Sequence, residues 1–574
     1  MPRGGSAMNI PFFRREVPAL AAAALILGAA GFLSKLLGLV RDRMLAARFG
    51  AGEALDVYYA AFQLPDIIYT LLLAGAASAA VLPVFIEYDQ KGEAAAGRFL
   101  SNLLTVFSLA AVLLGAVAWL AAPWLVSFVA PGFVLEALER TVGLTRIMLA
   151  NTVFLGIAGI LSAVLQARRR FFIFALPPIV YNLGIIAGIV FLTPVFGLDG
   201  LAYGVVAGGI GQVLVQLPAL RGLGLRIRPM FSLGDAGLRR VARTSLPRVA
   251  ALGMSQLTLI LLVAIASYFM AGSISVFKFA ANLMYVPVGL FGVSWALALF
   301  PKLSSASILR QGESFREHVA IGVRSIFFWI LPAAALAIVL RAHIVRVILG
   351  SGIFNWEDTR LVAAVLGVLA LAMLSEGLLP LFLRAFYALG RTVEPLFLDI
   401  AASVLTVSGA LGLSMLFLSS PQTLATVARV LRIPDLSQPY ILAVAMAFAA
   451  GSLVNAFLLA RSLKRVSLRR LGVELSFEFN ACLTMAGAAL LGGLAAYATL
   501  LPFPALVATN TFFGIFLQGA VAGGVGLAVY AAILVTQKNP EMLAIIQSFR
   551  QHLVSPAKTP RVFEAEKLDG EGTH

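Results

Sequence analysis

Fourteen long apolar runs, separated by short loops, fill this chain from Ala19 to about Val535, and they restrict it to folds that live in lipid. A helix of about 20 apolar residues spans the hydrocarbon core of a bilayer. Lipid offers no partner to a backbone N–H or C=O, so a spanning segment must satisfy its own hydrogen bonds as a helix or join a closed barrel. Barrels are built from short alternating strands, and these runs are too long and too uniformly apolar for that. The expected fold is therefore an all-α integral membrane bundle of about fourteen helices. Composition agrees: 60% of residues are hydrophobic, 12% are charged, and the mean hydropathy is +0.95.

The formal net charge of +16 would suggest nucleic acid in a soluble protein. Here the cations lie between the apolar runs, where they set topology, so nucleic acid is not an expected partner. With the N-terminus inside, the inward segments carry 30 Lys and Arg and the outward ones 10. That asymmetry predicts an even number of spans and both termini in the cytoplasm. Residues 1–18, with Arg3, Arg14 and Arg15, read as a cytoplasmic segment leading into a signal-anchor, because the following apolar run is too long for a cleaved signal. The single cysteine, Cys482, permits no internal disulfide.

The halves of the chain echo each other. Ala60-Ala61, Pro65 and Leu82-Pro83 are answered by Ala280-Ala281, Pro287 and Phe300-Pro301, and Ala167 to Arg170 by Ala388 to Arg391. A shared offset of about 220 residues predicts two parallel six-helix repeats, an arrangement of secondary transporters that places the substrate between the halves. The expected units are an N-lobe at 19–220, a basic cytoplasmic loop at 221–245, a C-lobe at 246–460, two further spans at 478–535 and a cytoplasmic tail at 536–574.

Ionisable groups inside spans cost about 2.5–3.5 kcal/mol each on insertion scales, so each needs a reason. Lys35 and Arg41 are six residues apart, about 120° in helical projection, and both can border one wide cavity. Such a cationic site suits an anion; the plainer alternative is that Arg41 and Arg43 snorkel to the interface. Asp42 pairs with Arg41 or Arg43. Lys278 and Asn282 are one turn apart on one face of the eighth run, with Lys278 facing the cavity or snorkelling. Lys and Arg at the junction of the repeats would suit a phosphate or diphosphate. Asp399 and Glu376 bind a cation, relay protons or pair with a neighbouring Arg. Asn151, Asn182, Gln212, Gln256 and Asn455 read as interhelical hydrogen-bonders, and Gly184/Gly188 with Gly204/Gly208 as close-packing pairs.

Other chemistries leave no trace. No Gly-Lys dipeptide occurs, hence no phosphate-binding loop of the ATPase type. The four histidines are scattered, without metal-ligand spacing. No carboxylate pair of the kind a membrane glycosyltransferase needs is legible in an outer loop. The chain is expected to be no enzyme and to need no cofactor.

Ser34-Lys35 through Arg41-Asp42, Ala47-Arg48-Phe49-Gly50-Ala51-Gly52, Asp56, Phe62-Gln63-Leu64-Pro65, Ala130-Pro131-Gly132-Phe133, Leu165-Gln166-Ala167-Arg168 and Leu383 to Gly390 resemble the MurJ/MviN family over about residues 20–535. These are lipid II flippases of the multidrug/oligosaccharidyl-lipid/polysaccharide exporter superfamily. The resemblance implies alternating access between the lobes in a bacterial cytoplasmic membrane. A cationic N-lobe cavity would meet the lipid-linked diphosphate, and a groove by the last two spans its lipid tail. Arg41, Asp42 and Asp56 match the family's pattern. Lys35 stands where the family has Arg, Tyr69-Thr70 replace an Arg-Arg, Ala74 a Glu, and Asn282 an Arg. Lys35, Arg41, Asp42, Asp56, Lys278 and Asn282 are thus the implied substrate residues, with Lys278 standing in for the missing eighth-span charge. A coupling cation near Asp399 or the membrane potential would drive the cycle. The implied partners are a lipid-linked oligosaccharide, membrane lipids and cell-wall synthesis enzymes. Alternatives are a flippase for another polyprenyl-linked glycan, a drug exporter of the same superfamily, or a non-transporting scaffold.

Overall fold

The computed structural model describes residues 20–71, 81–221, 223–225, 227–436, 438–476, 478–502 and 511–554. The N-terminal segment 1–18, Ala74 and the tail beyond 554 lie outside the described residues. No strand occurs among the described residues. Ten of their helices are long and apolar enough to cross a membrane, and the pair Trp356–Ala370 and Met373–Ala388, bent by 46°, makes an eleventh. Leu20–Phe49, Glu53–Tyr69 with Val81–Gln90, and Ala236–Ala266 take the first, second and seventh places in chain order. The order is consistent with the expected fourteen spans.

Numbered that way, spans three to six are Glu93–Val129, Leu135–Ala167, Pro177–Phe196 and Asp199–Arg221. Spans eight and nine are Ser273–Ile308 and Gly312–Val339, and the bent pair is span ten. Spans eleven to fourteen are Val393–Ser419, Ile441–Leu471, Phe479–Leu500 and Phe512–Thr536. Side chains that face outward on them are apolar: Leu120 and Trp124 of span three are 71% and 74% exposed, which only lipid makes tolerable.

Small residues set the closest packing. A side-chain carbon added at Gly184 would meet the Gly208 Cα at 2.3 Å, and one at Gly188 the Gly204 Cα at 2.6 Å. Spans five and six therefore touch backbone to backbone, as the Gly pairs predict. The repeat is visible in how the second and eighth spans break. Residues 70–71 after Pro65, and Val288–Val293 after Pro287, are wound as π-helical turns. Proline removes a donor from the ladder and the wider turn absorbs the mismatch.

The loop between spans six and seven is strapped to span three. Ser101, Asn102 and Thr105 bond the backbone of Arg228, Ser232 and Met230 at 2.7–3.1 Å. Asp235 then caps span seven by accepting from Leu238 N.

The two halves meet unequally. At the end that the charge count places outside, one continuous core joins Leu45 and Tyr58 of the first half to Phe279 and Val362 of the second. At the opposite end the first half has a core of its own, around Phe85, Phe99, Leu161 and Leu220, which takes in only Leu238 and Val241 from the start of span seven. Direct links tie the halves at the outer end. Arg43 donates to Val347 O at 2.7 Å, and Ile353 N to Ala47 O at 3.0 Å. Gly132 N donates to Ser267 Oγ at 3.0 Å, and Asp56 accepts from span eight.

Spans thirteen and fourteen cross at Gly492 and Gly526 and pack on span nine, where Tyr530 donates to Phe328 O at 2.7 Å. At the inner end Arg324 of span nine pairs with Glu478 and Glu541, the latter at 2.8 Å. The helix Pro540–Val554 is thereby drawn against the bundle.

Candidate functional site

The first span delivers Lys35 and Arg41 to the junction of the halves. The Arg41 guanidinium grips Asp42 Oδ1 through Nε at 3.0 Å and Nη2 at 2.8 Å. Its Nη1 donates to Asn182 Oδ1 at 3.1 Å, and Asn182 is itself held by Pro178 O. The other Asp42 oxygen accepts from Asn282 Nδ2 of span eight at 2.9 Å. Arg41, Asp42 and Asn282 thus form one chain of bonds across the halves. Asp42 is 3% exposed, so its charge is viable only because Arg41 lies against it. Of the two alternatives for Asp42, the structure selects Arg41. Arg43 points elsewhere, onto carbonyls at 347 and 348 and over the Phe512 ring.

Lys35 crosses to the other half as well. A side-chain carbon at Gly289 would fall 2.5 Å from Lys35 Nζ, so the π-helical turn of span eight gives Lys35 its resting place because residue 289 has no side chain. No carboxylate pairs with Lys35 among the described residues. Lys278 does have an acidic neighbour: it interacts with Asp66 of span two. Tyr58, Tyr59 and Tyr181 line the same region, electrostatically coupled to Arg41 or Asp66. Tyr59 Oη and Gln63 Oε1 are buried without a protein partner, polar atoms that water or a ligand must satisfy.

Asp56 is engaged differently. Its two oxygens accept from Gly272 N and Ser275 N, both at 2.7 Å, at the first turn of span eight. Gly272 takes the left-handed conformation, with φ of 95°. Asp56 therefore caps a helix of the other half across space and satisfies its free N–H groups. In this arrangement both of its oxygens are committed to backbone.

In the second half, Glu376 and Asp399 face one cavity of about 150 Å³. Glu376 accepts from Ser452 Oγ at 2.6 Å and Tyr285 Oη at 3.0 Å. Asp399 accepts from Asn455 Nδ2 at 2.9 Å and Ser255 Oγ at 3.2 Å. The expected alternative of pairing with an Arg is not what holds them; hydroxyls and an amide do. Asn151 donates to Tyr181 Oη and Asn182 to span one, as interhelical residues should.

The sequence reading missed Asp66, the three tyrosines and the Ser452–Tyr285 clamp. A signal for part of this was present: Tyr59, Gln63 and Asp66 follow i, i+4, i+7 spacing and draw a polar stripe along span two. The clamp had none, since it joins three spans far apart in the chain.

Comparison with known proteins agrees with this architecture. The family model described as lipid II flippase MurJ matches residues 45–500. The lipid II flippase MurJ of Burkholderia cenocepacia is 29% identical over 392 residues, 66% of this chain and 76% of that protein. A probable lipid II flippase MurJ of Rhizobium tropici is 31% identical over 382 residues, 64% of this chain and 71% of that protein. A solved lipid II flippase MurJ in its inward closed conformation superposes with a TM-score of 0.69 at 21% identity, over 90% of this chain and 99% of that one. An inward-facing multidrug resistance MATE family transporter of the MOP superfamily gives 0.59 at 14% identity, over 75% and 95%. These two show a shared fold. With the family model covering most of its length, this multi-pass membrane chain belongs to the MurJ family of lipid II flippases.

Proposed function

We propose that this protein flips lipid II, the lipid-linked peptidoglycan precursor, across the bacterial cytoplasmic membrane by alternating access, with both termini cytoplasmic. It acts as a transporter and not as an enzyme. The observation that carries this reading is the Lys35–Arg41–Asp42–Asn282 arrangement at the junction of the halves, in a bundle joined at its outer end. A diphosphate entering from the inner end meets Lys35 first, the one cation there without an acidic neighbour among the described residues. It then competes with Asp42 for Arg41, whose planar fork suits a phosphate as well as a carboxylate. Releasing Asp42 loosens Asn282 and with it a tie between the halves. Substrate binding is thereby coupled to opening. Lys278, balanced by Asp66, contributes at the far side of the same site. The groove beside spans thirteen and fourteen takes the lipid tail.

The driving force is assigned to a cation at the Glu376–Asp399 cavity. Two carboxylates and the unpartnered Asn455 Oδ1 face one another there, and oxygen ligands of this kind suit a hard cation. No nucleic acid and no organic cofactor enters the cycle; membrane lipids and cell-wall synthesis enzymes are the proposed partners. The test is complementation of a bacterium depleted of its lipid II flippase. The native chain should restore growth, and Lys35→Ala should not despite normal expression. Failure of the well-expressed native chain would move the substrate to another polyprenyl-linked glycan.

A further inference from the structure

A larger cavity, of about 540 Å³, opens at the outer end of the second half, away from the junction of the halves. Arg341, His343, Trp356, Arg360, Arg432 and Tyr497 supply its polar and aromatic lining. They come from the segments between spans nine and ten and between spans eleven and twelve, from the start of span ten, and from span thirteen. No carboxylate lines it among the described residues. Asp435 and Glu357 interact with Arg360 of the lining, and Asp435 is bound by that guanidinium on both oxygens.

Arg341 and Arg432 line this same cavity, and their like charges act on one another there. Backbone and aromatic groups hold them in place: Arg341 Nη2 donates to Leu431 O at 2.8 Å, and Arg432 Nη2 to Tyr497 Oη at 2.9 Å. Arg432 stands in the left-handed region, with φ of 63°, at the residue where the helix Pro421–Val430 unwinds. Each guanidinium carries five N–H donors, so several remain unspent toward the cavity. Cations are scarce on this side of the chain, 10 against 30, yet three converge here. Like charges lining one cavity repel, and an anion bound between them would remove that cost.

The surroundings indicate the kind of anion. Trp356, Val430 and Leu501 flank the cavity and are 55%, 75% and 65% exposed, an apolar rim at the level where Trp and Tyr gather in membranes. An anion carried on a lipid would find its charge matched inside and its chain matched outside.

We infer that this cavity binds the phosphate or diphosphate headgroup of a membrane lipid, held by Arg341 and Arg432. The inference rests on the chain lying in a membrane and not on which lipid the central site carries.

Native mass spectrometry of the detergent-solubilised full chain tests it, in a Lys35→Ala background that disables the central site without loss of stability. The probes are phosphatidylglycerol, a polyprenyl diphosphate, diacylglycerol and inorganic pyrophosphate. At least one of the two phosphate lipids should bind, and the stronger of them identifies the source. Arg432→Gln should weaken that binding about tenfold or more, as for loss of one charge-assisted contact. Arg432→Lys should retain part of it, and Arg429→Gln, one turn earlier and outside the lining, should leave it unchanged. Arg341→Gln should match Arg432→Gln, and Arg432 is exposed enough that its variant folds whatever becomes of Arg341. Equal binding by Arg432→Gln and the parent overturns the inference. So does diacylglycerol binding as well as the phosphate lipids, or pyrophosphate binding where neither lipid does.

Discussion

Lys35 and Arg41 carry charges of the same sign into the same site, but the structure gives them different states. Arg41 is spoken for by Asp42 and Asn182, and Lys35 only rests on Gly289. Lys35→Ala should therefore abolish flipping with little change in thermal stability. Arg41→Ala should lower both, because it leaves Asp42 buried without its partner, a defect of about 3–5 kcal/mol in a fully buried pair. Flipping of fluorescent lipid II in proteoliposomes, read beside the melting temperature, separates the two. The same logic applies to Lys278. Lys278→Ala strands Asp66 and should lower the melting temperature by several degrees, and adding Asp66→Asn should recover most of the loss. The sequence singled out Lys35, Arg41, Asp42 and Lys278 because charges in lipid are conspicuous, and Asn282 because it stands where the resembling family has Arg. It did not show which were already paired. Pairing depends on side chains brought together from positions 42, 182 and 282, and no local pattern records that.

At the scale of elements, the breaks in spans two and eight and the Gly contacts between spans five and six were legible, because proline and glycine act through the backbone wherever they stand. Asp56 was not. The resemblance places it among the substrate residues, whereas in the structure it caps span eight from another helix. A cap supplied from 216 residues away leaves no trace in the sequence beside the helix it serves. Asp56→Ala should cost about 1–2 kcal/mol through the lost cap and loosen the outer tie between the halves. Hydrogen exchange should then rise at Gly272–Ser275 while the rest of span eight stays protected. Gly204→Leu should be worse, since no side chain fits against Gly188, and its melting temperature and expression should both fall.

For the whole molecule, hydropathy alone implied a helical bundle of about fourteen spans, and charge counting implied its orientation. Cysteines introduced at Gly197 and Pro434 should be labelled from outside the cell; labelling of either only after permeabilisation would reverse the topology. The tie at the outer end is a property of the folded chain only, and the account depends on it, since transport requires it to open and close. Its most direct test is a reversible lock. Ala47→Cys and Ile353→Cys place thiols where Ile353 N now donates to Ala47 O at 3.0 Å, in a background where Cys482→Ser removes the one native thiol. Lipid II flipping should stop when the pair is oxidised and return on reduction, while the single-cysteine variants flip in both states. Undiminished flipping by the fully oxidised pair would contradict an outer end that opens in each cycle.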